Sequence, residues 1–120
     1  MDIKMFNNIT KVLLDLGFKP MMKGFDYLRE AILIYINKDK RHIFYKDIYP
    51  EIAQKYNVSS GSVERYLRII IKDAYQSGGL LGINEYYKYV IIDDQNIITA
   101  SEIVAIIAEI VEFNKAKINN

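Results

Sequence analysis

The sequence predicts an all-α single domain containing a helix-turn-helix, and three observations carry that expectation. Every strongly periodic segment repeats its apolar residues at the helical spacing of 3.6 rather than the strand spacing of 2. The stretch YPEIAQKYNVSSGSVERYLRIIIKDAYQS, residues 49–77, reads as two helices joined by a tight turn. The chain is 120 residues long with 51% hydrophobic content, which suits one domain with one real core.

Residues 8–16 form a short amphipathic pattern with Ile9, Val12, Leu13 and Leu16 inward and Gly17 as its stop. Pro20 forbids a helix through the connector 18–22. Residues 23–37 carry a longer helical pattern, with Phe25, Leu28, Ile32 and Ile36 on one side and Leu33 and Tyr35 widening it. The segment 38–46, KDKRHIFYK, reads as a charged loop that Ile43, Phe44 and Tyr45 return to the core. Its Lys38, Lys40, Arg41, His42 and Lys46 are candidate phosphate contacts, or simply solvated charges.

Pro50 opens the next helix, 51–56, because its missing N–H is one the first turn leaves unpaired anyway. Ile52, Ala53 and Tyr56 share a face, and Ala53 is small where two helices must cross closely. Asn57 tolerates the left-handed conformation a turn needs, and Val58 is expected as a buried plug there. Ser59 is the expected N-cap of the second helix. In that helix Val63, Leu67, Ile70, Ile71 and Ala74 form a core stripe, while Gly61, Glu64, Arg65, Arg68 and Lys72 lie opposite.

Gly78-Gly79 breaks the pattern, and a short helix is expected around residues 84–87. Residues 87–92 taken alone would be assigned to a strand. Asp93-Asp94 are adjacent carboxylates with no third ligand nearby and read as a turn. Thr99-x-x-Glu102 is a capping box that starts a last helix over about 101–114. Its Ile103, Val104, Ile106, Ile107, Ile110 and Val111 exceed a single stripe, so part of that surface is expected to face a partner. The end NKAKINN is expected to fray.

Composition narrows the function. No run approaches the roughly 18 apolar residues of a membrane span, and MDIKMFNN lacks the form of a signal peptide. Zero cysteines exclude disulfides and thiolate metal sites and fit a cytoplasmic protein. One histidine, no glycine-rich phosphate loop and no metal-ligand spacing argue against an enzyme, a cofactor, a metal site or a small-molecule substrate. Net charge is only +1, but residues 1–76 hold 13 Lys and Arg against 9 Asp and Glu, while residues 77–120 hold 3 against 6. A net charge this low argues mildly against a nucleic-acid partner, but the basic excess travels with the helix-turn-helix and so permits one.

Three blocks carry a family resemblance. They are Gly17 with Lys23-Gly24 and Tyr27 to Ile32 (YLREAI); Tyr49-Pro50 with Ile52-Ala53 and Lys55; and Val63-Glu64-Arg65 with Arg68. Over about residues 9–111 the chain resembles the C-terminal DNA-binding effector domain of the stage-zero sporulation protein A family, the response regulators that initiate sporulation. The resemblance implies an all-helical unit of about six helices, and so argues against the strand at 87–92. Arg29 and Glu30 resemble the family's Arg-Glu pair and are read as surface charges or an ion pair fixing one helix against another. The implied partner is double-stranded DNA, with short sites around a GTCGA-like core, often in tandem.

On that reading Glu64, Arg65 and Arg68 read base edges from the major groove. Ser59, Ser60, Ser62 and Lys72 are expected to contact phosphates. Ser60-Gly61-Ser62 depart from the family's Thr/Ala-Ser-Arg-like run, so a basic residue is missing at the helix start. The family's full-length protein carries a receiver domain that a 120-residue chain has no room for, and this chain is expected to be a single effector-like domain. Assembly as a homodimer or in tandem is expected through the last helix, near Tyr86 and Tyr87. The alternative is a non-enzymatic interaction protein that associates with a full-length relative and modulates it.

Overall fold

The apolar stripes converge on two central helices. In the computed structural model, which describes residues 2–38, 44–93 and 98–119, the helices are α1 (Ile3–Asp15), α2 (Lys23–Asn37), α3 (Tyr49–Tyr56), α4 (Ser60–Gln76), α5 (Gly82–Tyr87) and α6 (Ala100–Asn119). A single π-helical turn, Phe44–Ile48, leads into α3, and a 3-10 turn, Gly79–Leu81, leads into α5. No strand occurs among the described residues. Helix α2 packs against α1, α3, α4 and α6, and α6 against α1, α2 and α4.

Most elements begin and end where local chemistry dictates. Asp2 caps α1 by accepting from the Met5 N–H at 3.1 Å, so α1 starts five residues before the expected position 8. Ile9, Val12, Leu13 and Leu16 are buried as expected, and Gly17 ends the element with φ +81°. Helix α2 spans the expected residues, with Phe25, Leu28, Ala31 and Ile32 buried. The capping box also forms: the Thr99 hydroxyl accepts from the Glu102 N–H at 3.3 Å, and Glu102 accepts from the Thr99 N–H and hydroxyl.

Gly78 takes φ +85° to end α4, as the breaker requires, whereas Gly79 has a different task. A Cβ on Gly79 would lie 2.3 Å from the Leu16 carbonyl oxygen, so this glycine lets the backbone after α4 run against the end of α1. After α5, Lys88 adopts the left-handed conformation and Asn84 fixes the following chain. Its side chain accepts from the Ile91 and Ile92 N–H groups and donates to the Ile92 carbonyl. Those backbone groups are satisfied by a side chain rather than a neighbouring strand, which is why residues 87–92 form no strand.

Three expectations need correction. Val58 is no buried plug but 37% exposed. Its N–H bonds the Ala53 carbonyl at 3.0 Å, so backbone closes the turn and the side chain is left at the rim. The apolar surplus of the last helix belongs to the core: Ile103, Val104, Ile107, Ala108, Ile110 and Val111 are all 2% exposed or less. Packing against α1, α2 and α4 at once covers more than one stripe, leaving Ile106 half-buried and Phe113 outside. Finally, α6 continues to Asn119 rather than ending near 114. Lys117 in its last turn suits the negative end of the helix dipole.

The loop 38–46 is only partly described. Phe44 packs on the rings of Tyr35 and Tyr49, and Lys38 pairs with Glu51 of α3 at 2.5 Å. Lys46 is exposed. Lys40, Arg41, His42, Ile43, the Tyr45 side chain and Asp94 lie outside the described residues.

Candidate nucleic-acid interface

The helix-turn-helix is built as its residues require. Pro50 sits in the first turn of α3, and Ile52 and Ala53 are buried against α4. Asn57 turns the chain with φ 54° and ψ 50°. Ser59 then caps α4, its Oγ accepting from the Ser62 N–H at 3.1 Å and donating to Ser62 Oγ at 3.0 Å. Two α2 residues hold this unit. Glu30 accepts from Lys55 of α3 at 2.9 Å, and that bond raises the Lys55 pKa against the opposing effect of burial. Arg29 lies 4.0 Å from the Phe6 ring centre and donates to Thr10 and Asp26, tying α2 to α1. Both residues are therefore inter-helix fasteners.

Helix α4 turns one side inward and one outward. Val63, Leu67, Ile70, Ile71 and Ala74 are buried, whereas Gly61, Arg65, Arg68 and Lys72 are exposed. At about 100° per residue these four outward positions fall within roughly 60° of arc. Ile69 lies on one flank of that strip and Glu64 on the other.

Electrostatics divide the strip. Arg68 donates to Glu64 at 2.5 Å, an exposed pair one helical turn apart that joins two of the expected base-reading residues. Neither Arg65 nor Lys72 has an acidic partner among the described residues. Ser59 and Ser62 bond each other, and Ser60 is half-buried, so the three serines sit together at the start of the strip. Apart from the candidates in the loop 38–46, the residues expected to read bases, Glu64, Arg65 and Arg68, and to contact phosphates, Ser59, Ser60, Ser62 and Lys72, thus lie on or beside one helix.

Two features of this face escape a sequence reading. Ile69 is 45% exposed, an apolar side chain on the polar side, hidden in the run Ile69-Ile70-Ile71 whose other two members are core. Tyr66 is half-buried, edge-on to Tyr27 of α2, with Lys23 and Arg65 both over its ring. Only the crossing of α2 over α4 brings Lys23 there. On the Glu64 flank, a cavity of about 750 Å³ opens toward the start of α6, with Tyr49, Ile71, Tyr75, Ile92 and Ile98 in its mostly apolar wall.

Far from this face, α5 and α6 leave an aromatic patch. Phe113 is 62% exposed beside Tyr86, Tyr87 and Glu109, and Tyr89 stands edge-on to Tyr87. Burial, followed by the charge and hydrogen bond of Glu109, pushes the Tyr87 hydroxyl up to about 12.

An all-α domain whose helix-turn-helix presents a basic strip outward defines a helix-turn-helix DNA-binding domain. A family model described as Sporulation initiation factor Spo0A C terminal matches residues 9–111. The chain belongs to that family and is a DNA-binding effector domain of a sporulation regulator, of a family that binds DNA rather than catalysing a reaction. No helix among the described residues is long and apolar enough to cross a membrane.

Proposed function

We propose that the chain is a sequence-specific transcriptional regulator that lays α4 in the major groove. The observation that carries this is the single outward strip of Arg65, Arg68 and Lys72 on a 17-residue helix whose opposite strip is wholly core. Such a helix spans about 26 Å at ~1.5 Å per residue, long enough to follow the groove with its first turns deepest.

Each side chain then has a role set by its position. Arg65 and Arg68 each present a fork that matches guanine O6 and N7, worth about 1–3 kcal/mol of discrimination apiece. Glu64 accepts from cytosine N4 and, while paired with Arg68, aligns that guanidinium; Arg has donors to spare for both. Lys72, farther along, contacts phosphate. Ser60 and Ser62 serve register at the helix start, while the Ser59 hydroxyl is committed to the cap. Homotypic contact on adjacent sites would use the Phe113 patch, because Ile103, Val104, Ile107, Ile110 and Val111 of the last helix are buried.

Site selection on random duplexes, followed by salt titration of the selected site, tests the reading. Arg65→Ala should relax preference at one base pair with little change in stability. Lys72→Ala should weaken all duplexes evenly and lower the slope of log K against log salt by about one. If both leave affinity, preference and slope as in the wild type, this face is not the reading head. A folded chain that ignores duplex DNA yet binds a full-length relative would support the interaction-protein reading instead.

A further inference from the structure

We infer that Lys23, outside the helix-turn-helix, is a DNA-backbone contact held beside the recognition helix by the Tyr66 ring. The inference rests on the proposed placement of α4 in the groove and extends the footprint to a second helix. Lys23 is the first residue of α2 and is exposed. Its Nζ lies 5.5 Å from the centre of the Tyr66 ring, and the Arg65 guanidinium lies 5.1 Å from the same centre. One aromatic ring therefore gathers a cation from α2 and a cation from the proposed reading strip.

The neighbouring residue explains why the two stay together. A Cβ on Gly24 would sit 2.4 Å from the Tyr66 carbonyl oxygen and 2.8 Å from Ile70 Cγ2. The α2 backbone thus touches α4 at Tyr66, and Lys23 cannot drift along the recognition helix. Tyr27, one turn further into α2, packs edge-on to the Tyr66 ring with centroids 6.1 Å apart.

Charge points to what this arrangement would meet. Like charges gathered at one ring repel unless an anion lies between or beside them. Neither Lys23 nor Arg65 has an acidic partner among the described residues, unlike Lys19, Lys38, Lys55 and Arg68. By helical phase Tyr66 lies beyond Ile69, on the flank of the strip away from Glu64. Lys23 therefore sits to one side of the base-reading residues, where a groove-bound helix meets a phosphate strand rather than base edges. A lysine there adds affinity without reading sequence.

The test uses the intact chain and the duplex obtained by site selection. Lys23→Gln should lower the salt slope by about one and weaken binding roughly five- to tenfold near 0.1 M salt. The affinity ratio between the selected and a scrambled duplex should not change. Lys23→Arg and Tyr66→Phe, which keep the charge and the ring, should behave as wild type. Tyr66→Leu should reproduce the slope loss of Lys23→Gln, and the double variant should be no weaker than either single one. Thermal unfolding of each variant separates misfolding from lost contact. If Arg65→Ala relaxes preference while Lys23→Gln leaves the slope unchanged, the Lys23 contact is wrong and the major-groove reading stands. Additive losses in the double variant would refute the role of the ring. If Arg65→Ala also has no effect, both the contact and the reading beneath it fail.

Discussion

Alanine at Gly24 and alanine at Gly61 should change stability in opposite directions, although both replace a glycine within a helix. Alanine generally favours a helix over glycine by about 1 kcal/mol. At Gly24 that gain meets a wall: the new methyl would lie 2.4 Å from the Tyr66 carbonyl oxygen and 2.8 and 2.9 Å from Ile70 side-chain carbons. A backbone oxygen cannot rotate aside, so α2 must withdraw from α4 by most of an ångström. Overpacking of that kind costs about 1–3 kcal/mol, and a backbone-on-backbone clash belongs at the upper end. The net loss should be about 2 kcal/mol, a fall in Tm of roughly 6–10 °C for a domain of this size. At Gly61 the nearest atom to the new methyl is Ser59 Oγ at 3.9 Å, so nothing opposes the gain. Gly61→Ala should then stabilise by about 0.5 kcal/mol. Urea and thermal unfolding followed at 222 nm measure both. A Gly24→Ala protein as stable as wild type would refute the close crossing of α2 and α4, and with it the placement of Lys23.

Other contacts in the structure set further outcomes. Thr99→Ala should cost about 1 kcal/mol at neutral pH by removing the cap of α6. The Thr99 hydroxyl and N–H hold the Glu102 pKa below its ordinary 4.5, so the Glu102 contribution is complete above pH 4.5 and disappears as pH falls through the lowered value; unfolding curves of Glu102→Gln and wild type should converge in acid. The Tyr87 hydroxyl, raised to about 12 from 10.0, favours the folded state below pH 10 and loses that effect as pH rises toward 12. Burial also raises Tyr49 and Tyr56, so ultraviolet titration should find several tyrosines ionising late, and Glu109→Gln should bring the one near 12 earlier. Phe113→Asp should leave folding and single-site binding within a few-fold while abolishing cooperativity on tandem sites, whereas Ile107→Asp should unfold the chain. Retained cooperativity in Phe113→Asp would move the assembly surface elsewhere.

Much of this protein was legible in its sequence because the relevant physics is local. Helix period, the Ser59 cap, the left-handed Asn57, the Thr99–Glu102 box and the stop at Gly78 each depend on residues within about one turn of one another. So does the division of α4 into a buried and an outward side, which placed Glu64, Arg65, Arg68 and Lys72 together before any contact was known. The resemblance in three blocks added the family, and the match over residues 9–111 established it.

What the tertiary structure decided involves distance along the chain. Helical period already assigned Ile70 and Ile71 to the core, as found, but the 45% exposure of Ile69 beside the polar strip depends on which sides of α4 its neighbours cover. The last helix looked too apolar for one contact because its neighbours on three sides, α1, α2 and α4, come from earlier in the sequence. Asn84 ruled out a strand at 87–92 by bonding Ile91 and Ile92 seven and eight residues away. Lys23 lies more than 40 residues from Arg65, and only the bare backbone at Gly24 lets α2 come close enough for one tyrosine ring to hold both. Local rules set which elements form and which side of each is polar; contacts between distant residues set which polar side chains share a surface.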